Sequence, residues 1–307
     1  MCRVMAYVGR PVRLDDLLFG PDRALVRQSV DPALMSLLNL GGFGVIAWDN
    51  ESRDPDLPFT YRTADLPVYD RNLKALAEKA WTTTAIAHVR GVVYEPSETV
   101  GPHNVHPFRF PGAAIVLAQN GDLFDFGRMR YDLLEHIDPA LARRIEGTTD
   151  TEWLYALVLS QLDDPFAPAD AVTIADAVER ALTIIRAVRD EREINTQSPV
   201  NVVASDGHSL VATRFAFDYG WYPDDDSFFA GEREHDFTTL WFTLAAAFAA
   251  DDGGEWGPVA GAPATAIVAS EPLTTDRSAW LEIPEYSMLI IDRLGDELTV
   301  QTRELAL

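Results

Sequence analysis

Cys2 is the one cysteine of a 307-residue chain, and it follows directly on Met1. A small second residue favours removal of the initiator methionine. That leaves a thiol and a free α-amine on the same residue. An α-amine with a reference pKa near ~7.7–8.0 is partly neutral at physiological pH and can take the thiol proton. No separate histidine base is then needed. The ordinary alternative is an incidental cysteine at a frayed terminus.

Four further residues bear on the same chemistry. The segment Ala87-His88-Val89-Arg90 closes an apolar run with a guanidinium, which can grip a carboxylate at two points. The run Ala114–Ala118 leads into Gln119-Asn120-Gly121, a carboxamide donor beside a backbone N–H that a reacting group can approach closely. Thr148-Thr149-Asp150-Thr151-Glu152 puts a carboxylate, suited to an ammonium group, at a helix start. Each piece also has a plain structural reading: a surface salt bridge for Arg90, a hairpin turn for Asn120-Gly121, a cap for Asp150.

In order and spacing these pieces resemble the class II glutamine amidotransferases, members of the N-terminal nucleophile hydrolases. The opening Met1-Cys2-Arg3-x-x-Ala6-Tyr7 is similar to the small stand-alone members, a group that includes the ergothioneine-pathway γ-glutamyl amidase and uncharacterised bacterial amidotransferases. Ala204-Ser205-Asp206-Gly207, and Ala269-Ser270-Glu271-Pro272-Leu273-Thr274 followed by Trp280, extend the resemblance over most of the chain. The resemblance implies a four-layer αββα sandwich. It also implies roles: Cys2 as nucleophile, Asn120 and Gly121 as the oxyanion hole, Arg90 on the substrate α-carboxylate and Asp150 on its α-ammonium. The implied substrate is glutamine or a γ-glutamyl compound, opened through a thioester. Two enzyme uses stay open, direct hydrolysis of a γ-glutamyl conjugate or ammonia supply to a separate ammonia-accepting synthase subunit, and a catalytically degenerate binding or regulatory subunit is the non-enzymatic alternative. Three segments depart from the family pattern: Gln119 precedes Asn120 where His is common, Gly91-Val92-Val93-Tyr94 follows Arg90, and Gly41-Gly42-Phe43-Gly44 replaces Asp-Gly-Trp-Gly.

The elements that must position these residues are read from hydropathy. Short strands are expected at 3–8, 43–48, 59–62, 84–89 and 113–118. Helical spacing covers 21–38, interrupted at Pro32, then 73–80 and 127–145. Two stronger helices follow, one opened by Thr149-Asp150-Thr151-Glu152 and one over about 170–190 with Ile174, Val178, Leu182 and Ile185 on one face. Strands return at 200–205 and 210–213, joined by Asp206-Gly207, and at 264–269, 286–292 and 297–301. Strands, paired helices and strands again do not make a βαβ alternation, so the fold class is a layered α+β protein with mostly antiparallel sheets. The chain 1–307 is read as a single domain, with an acidic insertion at about 215–262.

Composition narrows the partners. Hydrophobic residues make up 47% and charged residues 24% of the chain, which is ordinary for a globular protein. The net charge of −23 opposes phosphate backbones and anionic lipid, so neither nucleic acid nor membrane is an expected partner. The longest apolar stretch, Leu240–Ala250, falls short of the roughly 18 residues of a membrane span. With one cysteine and no signal-type apolar region, a cytoplasmic location is expected. His103, His136, His208 and His235 lack metal-ligand spacing, and no phosphate loop occurs, so no metal and no cofactor is expected. His88 reads as a core residue, and His106, in Asn104-Val105-His106-Pro107-Phe108, as the hydrogen-bonding anchor of a turn.

Overall fold

A computed structural model describes residues 2–33, 38–91, 100–221, 238–251, 253–295 and 297–307. In chain order it contains β1 (Arg3–Arg13), α1 (Leu14–Leu18), α2 (Leu25–Gln28), β2 (Phe43–Trp48), β3 (Phe59–Thr63), α3 (Arg71–Ala77), β4 (Trp81–Val89) and β5 (Val116–Gly121). The helical block follows: α4 (Phe126–Leu133), α5 (Pro139–Ala142), α6 (Asp150–Leu159) and α7 (Ala171–Glu191). The chain then returns to strands: β6 (Ser198–Ser205), β7 (Ser209–Arg214), β8 (Ala216–Phe217), β9 (Trp241–Ala245), β10 (Ala247–Ala250), β11 (Trp256–Val259), β12 (Thr265–Ala269), β13 (Leu281–Glu282), β14 (Ser287–Leu294) and β15 (Glu297–Glu304).

Two large antiparallel sheets and a two-stranded ribbon, β10-β11, result among the described residues. One large sheet runs β13-β9-β12-β1-β4-β2-β3; the other runs β15-β14-β7-β6-β5, with β8 also on β6. Three apolar clusters separate four layers. The first seats Leu14, Leu17, Leu25 and Leu73 from α1–α3 on Met5, Tyr7, Val45 and Ile267 of the larger sheet. The second lies between the sheets, with Val4, Ala6, Ile86 and Val268 facing Val116, Ala118, Val203 and Leu289. The third packs Leu117, Val202 and Ile290 against Leu154, Ile174, Val178 and Leu182 of α6 and α7. This is the expected αββα arrangement. Because β1 is covered on both faces, it reads as an unbroken apolar run: Met5 and Tyr7 enter one cluster and Val4, Ala6 and Val8 the other.

Several boundaries differ from the sequence reading. β1 does not stop at Gly9 but runs to Arg13, with a register irregularity between Val8 and Val12 that absorbs Gly9 and Pro11. The helix expected over 21–38 is reduced to the single turn α2; Leu34 and Leu37 lie outside the described residues. The pattern at 127–145 divides at Asp138, whose carboxylate caps α5 by accepting the Ala140 N–H at 2.6 Å. β5 starts at Val116 and includes Asn120 and Gly121, which pair with Asn201 and Val200. They are therefore ladder residues and not a hairpin turn. Of the acidic stretch 215–262, residues 222–237 and 252 lie outside the described residues. The rest contributes β8 to the smaller sheet, β9, seated between β12 and β13, to the larger one, and the separate β10-β11 ribbon.

Candidate active site

The site lies at one end of the inter-sheet layer, and backbone register brings its first two residues together. On β1 and β4, Arg3 pairs with Val89 and Val4 with His88. The next step of that ladder sets Cys2 across from Arg90. Both are buried, and alternation gives them the same face as Val4 and Ile86, toward the other sheet. The Arg90 backbone is held on its far side too: its N–H donates to the Gly42 carbonyl and its carbonyl accepts from Gly41 N–H, both at 2.8 Å. The Gly41-Gly42-Phe43-Gly44 segment thus serves as the rail for Arg90. Gly44 is required there by close packing, since a Cβ would overlap the His106 carbonyl oxygen.

The Cys2 Sγ accepts a hydrogen bond from Gly91 N–H at 3.3 Å. Burial pushes the thiol above its ordinary pKa; the Gly91 N–H and the Arg90 charge pull it back, and the Asp150 carboxylate raises it further. Burial thus favours the thiol over the thiolate. The same balance puts Arg90 and Asp150 within each other's field and that of Cys2.

The opposite wall is β5. Ala118 faces the larger sheet, so Asn120 does too, and it is fully buried. Its Nδ2 donates to Ser270 Oγ at 2.9 Å, while Oδ1 is buried with no partner among the described residues. Gly121 has φ +150°, and a Cβ there would overlap the Pro199 carbonyl oxygen. Only glycine lets the strand end pass this close to β6. Gln119 points the other way, its Oε1 accepting from Thr151 Oγ1 at 3.1 Å. The departure from His at that position therefore falls on the helix side of the strand.

Asp150 opens α6, and Thr149 caps the helix by accepting Glu152 N–H at 3.4 Å. Asp150 Oδ2 accepts Leu123 N–H at 2.7 Å, and Oδ1 accepts Thr151 N–H at 2.7 Å. Leu123 lies two residues past Gly121, so the carboxylate is tied to the end of the Asn120 strand. Burial raises its pKa against the lowering effect of those N–H groups and of Arg90. The approach loop is fixed as well. Glu152 accepts the N–H groups of Glu146 and Gly147 at 3.0 and 2.6 Å, and Asn104 makes paired 2.9 Å hydrogen bonds with Thr148.

The two nearby histidines are structural. His88 Nε2 and His106 Nδ1 lie 3.1 and 3.2 Å from the same Gln119 carbonyl oxygen, and the rings stack with centroids 4.2 Å apart. A carbonyl can only accept, so these are the protonated nitrogens. Burial takes His88 down to about 3 and His106 well below its ordinary value. Both are neutral clamps on the strand leading to Asn120, in keeping with the expected core and anchoring roles.

Sequence reasoning missed three supports: Ser270 on Asn120, Glu152 and Asn104 on the Asp150 loop, and the buried Arg3–Glu271 pair at 2.6 Å. The signal for Ser270 and Glu271 was a polar pair directly after the apolar run Thr265–Ala269. The described residues contain no cluster of three or more metal-binding side chains, and no helix long and apolar enough to cross a membrane.

Comparison with known proteins agrees with this geometry. The sequence model of the family described as "Glutamine amidotransferases class-II" matches residues 73–305. That span holds Arg90, Asn120, Gly121 and Asp150, with Cys2 preceding it. The chain is 29% identical over 314 residues to the probable glutamine amidotransferase DUG3 of Saccharomyces cerevisiae, covering 95% of this chain and 82% of that protein. Among solved structures, a glutamine aminotransferase class-II domain protein from Silicibacter pomeroyi superposes with a TM-score of 0.59 at 20% identity, over 99% of this chain and 100% of that one. The glutamine phosphoribosylpyrophosphate amidotransferase of B. subtilis gives a TM-score of 0.58 at 16% identity, over 99% of this chain and 49% of that one. These two show the shared fold. With more than half its length matched by the family model, the chain belongs to the class II glutamine amidotransferases.

Proposed function

We propose that the protein, acting as one domain over residues 1–307, hydrolyses the side-chain amide of glutamine or of a γ-glutamyl conjugate through a thioester on Cys2. The observation that carries this reading is the convergence of Cys2, Arg90, Asn120 and Asp150 at one end of the inter-sheet layer. Arg90 binds the substrate α-carboxylate and Asp150 its α-ammonium. The γ-carbonyl carbon then reaches Cys2 Sγ.

Removal of Met1 exposes the Cys2 α-amine. Burial keeps the thiol protonated, so the amine takes the proton as Sγ attacks. The Sγ–C bond forms, and the carbonyl oxygen gains negative charge opposite Asn120 Nδ2 and Gly121 N–H. The amine returns its proton to the leaving nitrogen, the C–N bond breaks, and ammonia or an amine departs. Water, deprotonated by the same amine, attacks the thioester carbonyl and frees the γ-carboxylate and the thiol. Released ammonia either diffuses away or passes to a docked synthase subunit.

The test combines mass and rate. Intact-mass measurement of active protein is expected to show a chain starting at Cys2 and, on mixing with glutamine, a transient adduct of one glutamyl group. Cys2→Ala removes both adduct and turnover while keeping the fold. Full activity in a homogeneous Met1-retaining sample, or wild-type rates in Cys2→Ala, refutes the mechanism.

A further inference from the structure

Ser270 follows the last residue of β12 and is buried at 2% exposure. Its backbone N–H donates to the Val4 carbonyl at 2.9 Å. Its hydroxyl oxygen accepts Val4 N–H at 3.0 Å and Asn120 Nδ2 at 2.9 Å. Val4 stands two residues after Cys2 on β1, and Asn120 belongs to the other sheet. One hydroxyl therefore joins the nucleophile strand to the oxyanion residue across a layer whose apolar members include Val4, Ala6, Ile86, Val116, Ala118 and Val268.

We infer that Ser270 is a positioning residue for the oxyanion hole, fixing the Asn120 carboxamide relative to the strand that carries Cys2. This rests on the reaction proposed above. A carboxamide nitrogen has two N–H donors. Binding one to Ser270 sets the side-chain torsion and so the direction of the other. An oxyanion donor acts only if it is held in place before charge develops. The terminal torsion of asparagine is otherwise broad, and van der Waals packing alone does not distinguish its oxygen from its nitrogen. The Oδ1 atom makes no hydrogen bond among the described residues, so Ser270 is the polar contact that orients the group.

The experiment compares Ser270→Thr with Ser270→Val, two side chains of one shape that differ by the hydroxyl, with Ser270→Ala as a third variant. Rates are measured with glutamine and divided by the fraction of protein whose Cys2 is titrated by an electrophilic glutamine analogue. Ser270→Val is expected to lose at least about tenfold in kcat with KM little changed, approaching the loss from deleting an oxyanion donor. Ser270→Thr retains kcat within about threefold of wild type. Combining Ser270→Ala with Asn120→Ala costs no more than Asn120→Ala alone, because the serine acts through the asparagine. A purely structural serine would lower the melting temperature and the titratable fraction while leaving kcat per titrated site intact, and that result overturns the inference. So do equal rates for the Thr and Val variants, or a double mutant whose losses multiply. Absence of Cys2-dependent turnover in wild type refutes the underlying reaction instead. Turnover abolished by Asn120→Ala yet untouched by Ser270→Val refutes the Ser270 role alone.

Discussion

Cys2 and Arg90 are positioned by backbone register, whereas Asp150 is positioned by polar side-chain contacts. The first two stand at the end of the β1–β4 ladder, with Gly41 and Gly42 closing the far side of Arg90. Asp150 has no ladder. It is held by the Thr149 cap, by Leu123 N–H, and by a loop pinned to Glu152 and Asn104. A ladder spreads its precision over many backbone hydrogen bonds, so single side-chain changes perturb it little unless they leave a buried charge alone. A helix start depends on a few contacts, and each can be removed by one substitution.

The contrast can be broken most severely at the ladder's own buried charge. Arg3→Met leaves the buried Glu271 carboxylate without its guanidinium, with the Ala33 N–H still bonded to Oε2 at 2.8 Å. A loss of about 3–5 kcal/mol is expected in denaturant unfolding, and adding Glu271→Gln recovers much of it. Next comes Asn120→Ala, which keeps the register but removes the donor. The expected fall in kcat is about 10²–10³, or ~2.7–4 kcal/mol, with a modest KM change; a fall under tenfold would make Asn120 a plain ladder residue.

The histidine clamp gives the third effect. His88 and His106 both have folded pKa values lowered by burial, so below the unfolded value near ~6.5 the unfolded chain binds more protons. Stability is thus full above that pH and is lost as pH falls. Each histidine contributes about 1 kcal/mol of loss between pH 6 and 5, measured as the shift in denaturation midpoint, and His88→Gln flattens part of the slope.

Arg90→Lys keeps the charge but loses the planar two-point match to a carboxylate, so kcat/KM for glutamine drops by roughly tenfold, mainly through KM. The smallest effect falls on the helix start. Thr149→Ala removes the cap and costs about 1 kcal/mol in thermal or chemical unfolding. Because Asp150 is raised by burial, the acid limb of 1/KM lies above the ordinary carboxylate value near ~3.9, and Asp150→Asn abolishes that limb.

The same contrast governs what a sequence reader can see. The register half was legible. Apolar runs marked β1, β4 and β12, and Cys2 and Arg90 sat at run ends where a ladder delivers side chains to an edge. The long α7 declared itself through Ile174, Val178, Leu182 and Ile185. Asn120-Gly121 was harder, because the same dipeptide also marks a hairpin; the close pass beside Pro199, which demands glycine, is visible only in three dimensions. The contacts around Asp150 and Ser270 join residues far apart in the chain: Asn104 with Thr148, Ser270 with Val4 and Asn120. No local pattern encodes such pairs. Boundaries at Gly9–Pro11 and Asp138 were misread because proline and glycine punctuate a sequence without stating whether the chain turns or bulges.

The central place of β1 in its sheet also sets a schedule. β1 holds β4 on one side and β12 on the other, with Met5 paired to both Ala87 and Ala269. A ribosome adding roughly 5–20 residues per second reaches β12 on the order of tens of seconds after Cys2 has emerged. Throughout that interval β1 lacks one flank, and Asn120 has no Ser270 to meet. Local contacts form early, but the closing pairings span nearly the whole chain, the feature that slows folding. The sheet that holds Cys2 and Arg90 is therefore completed only when the late strand β12 arrives, so the timing of synthesis sets when this end of the inter-sheet layer is assembled.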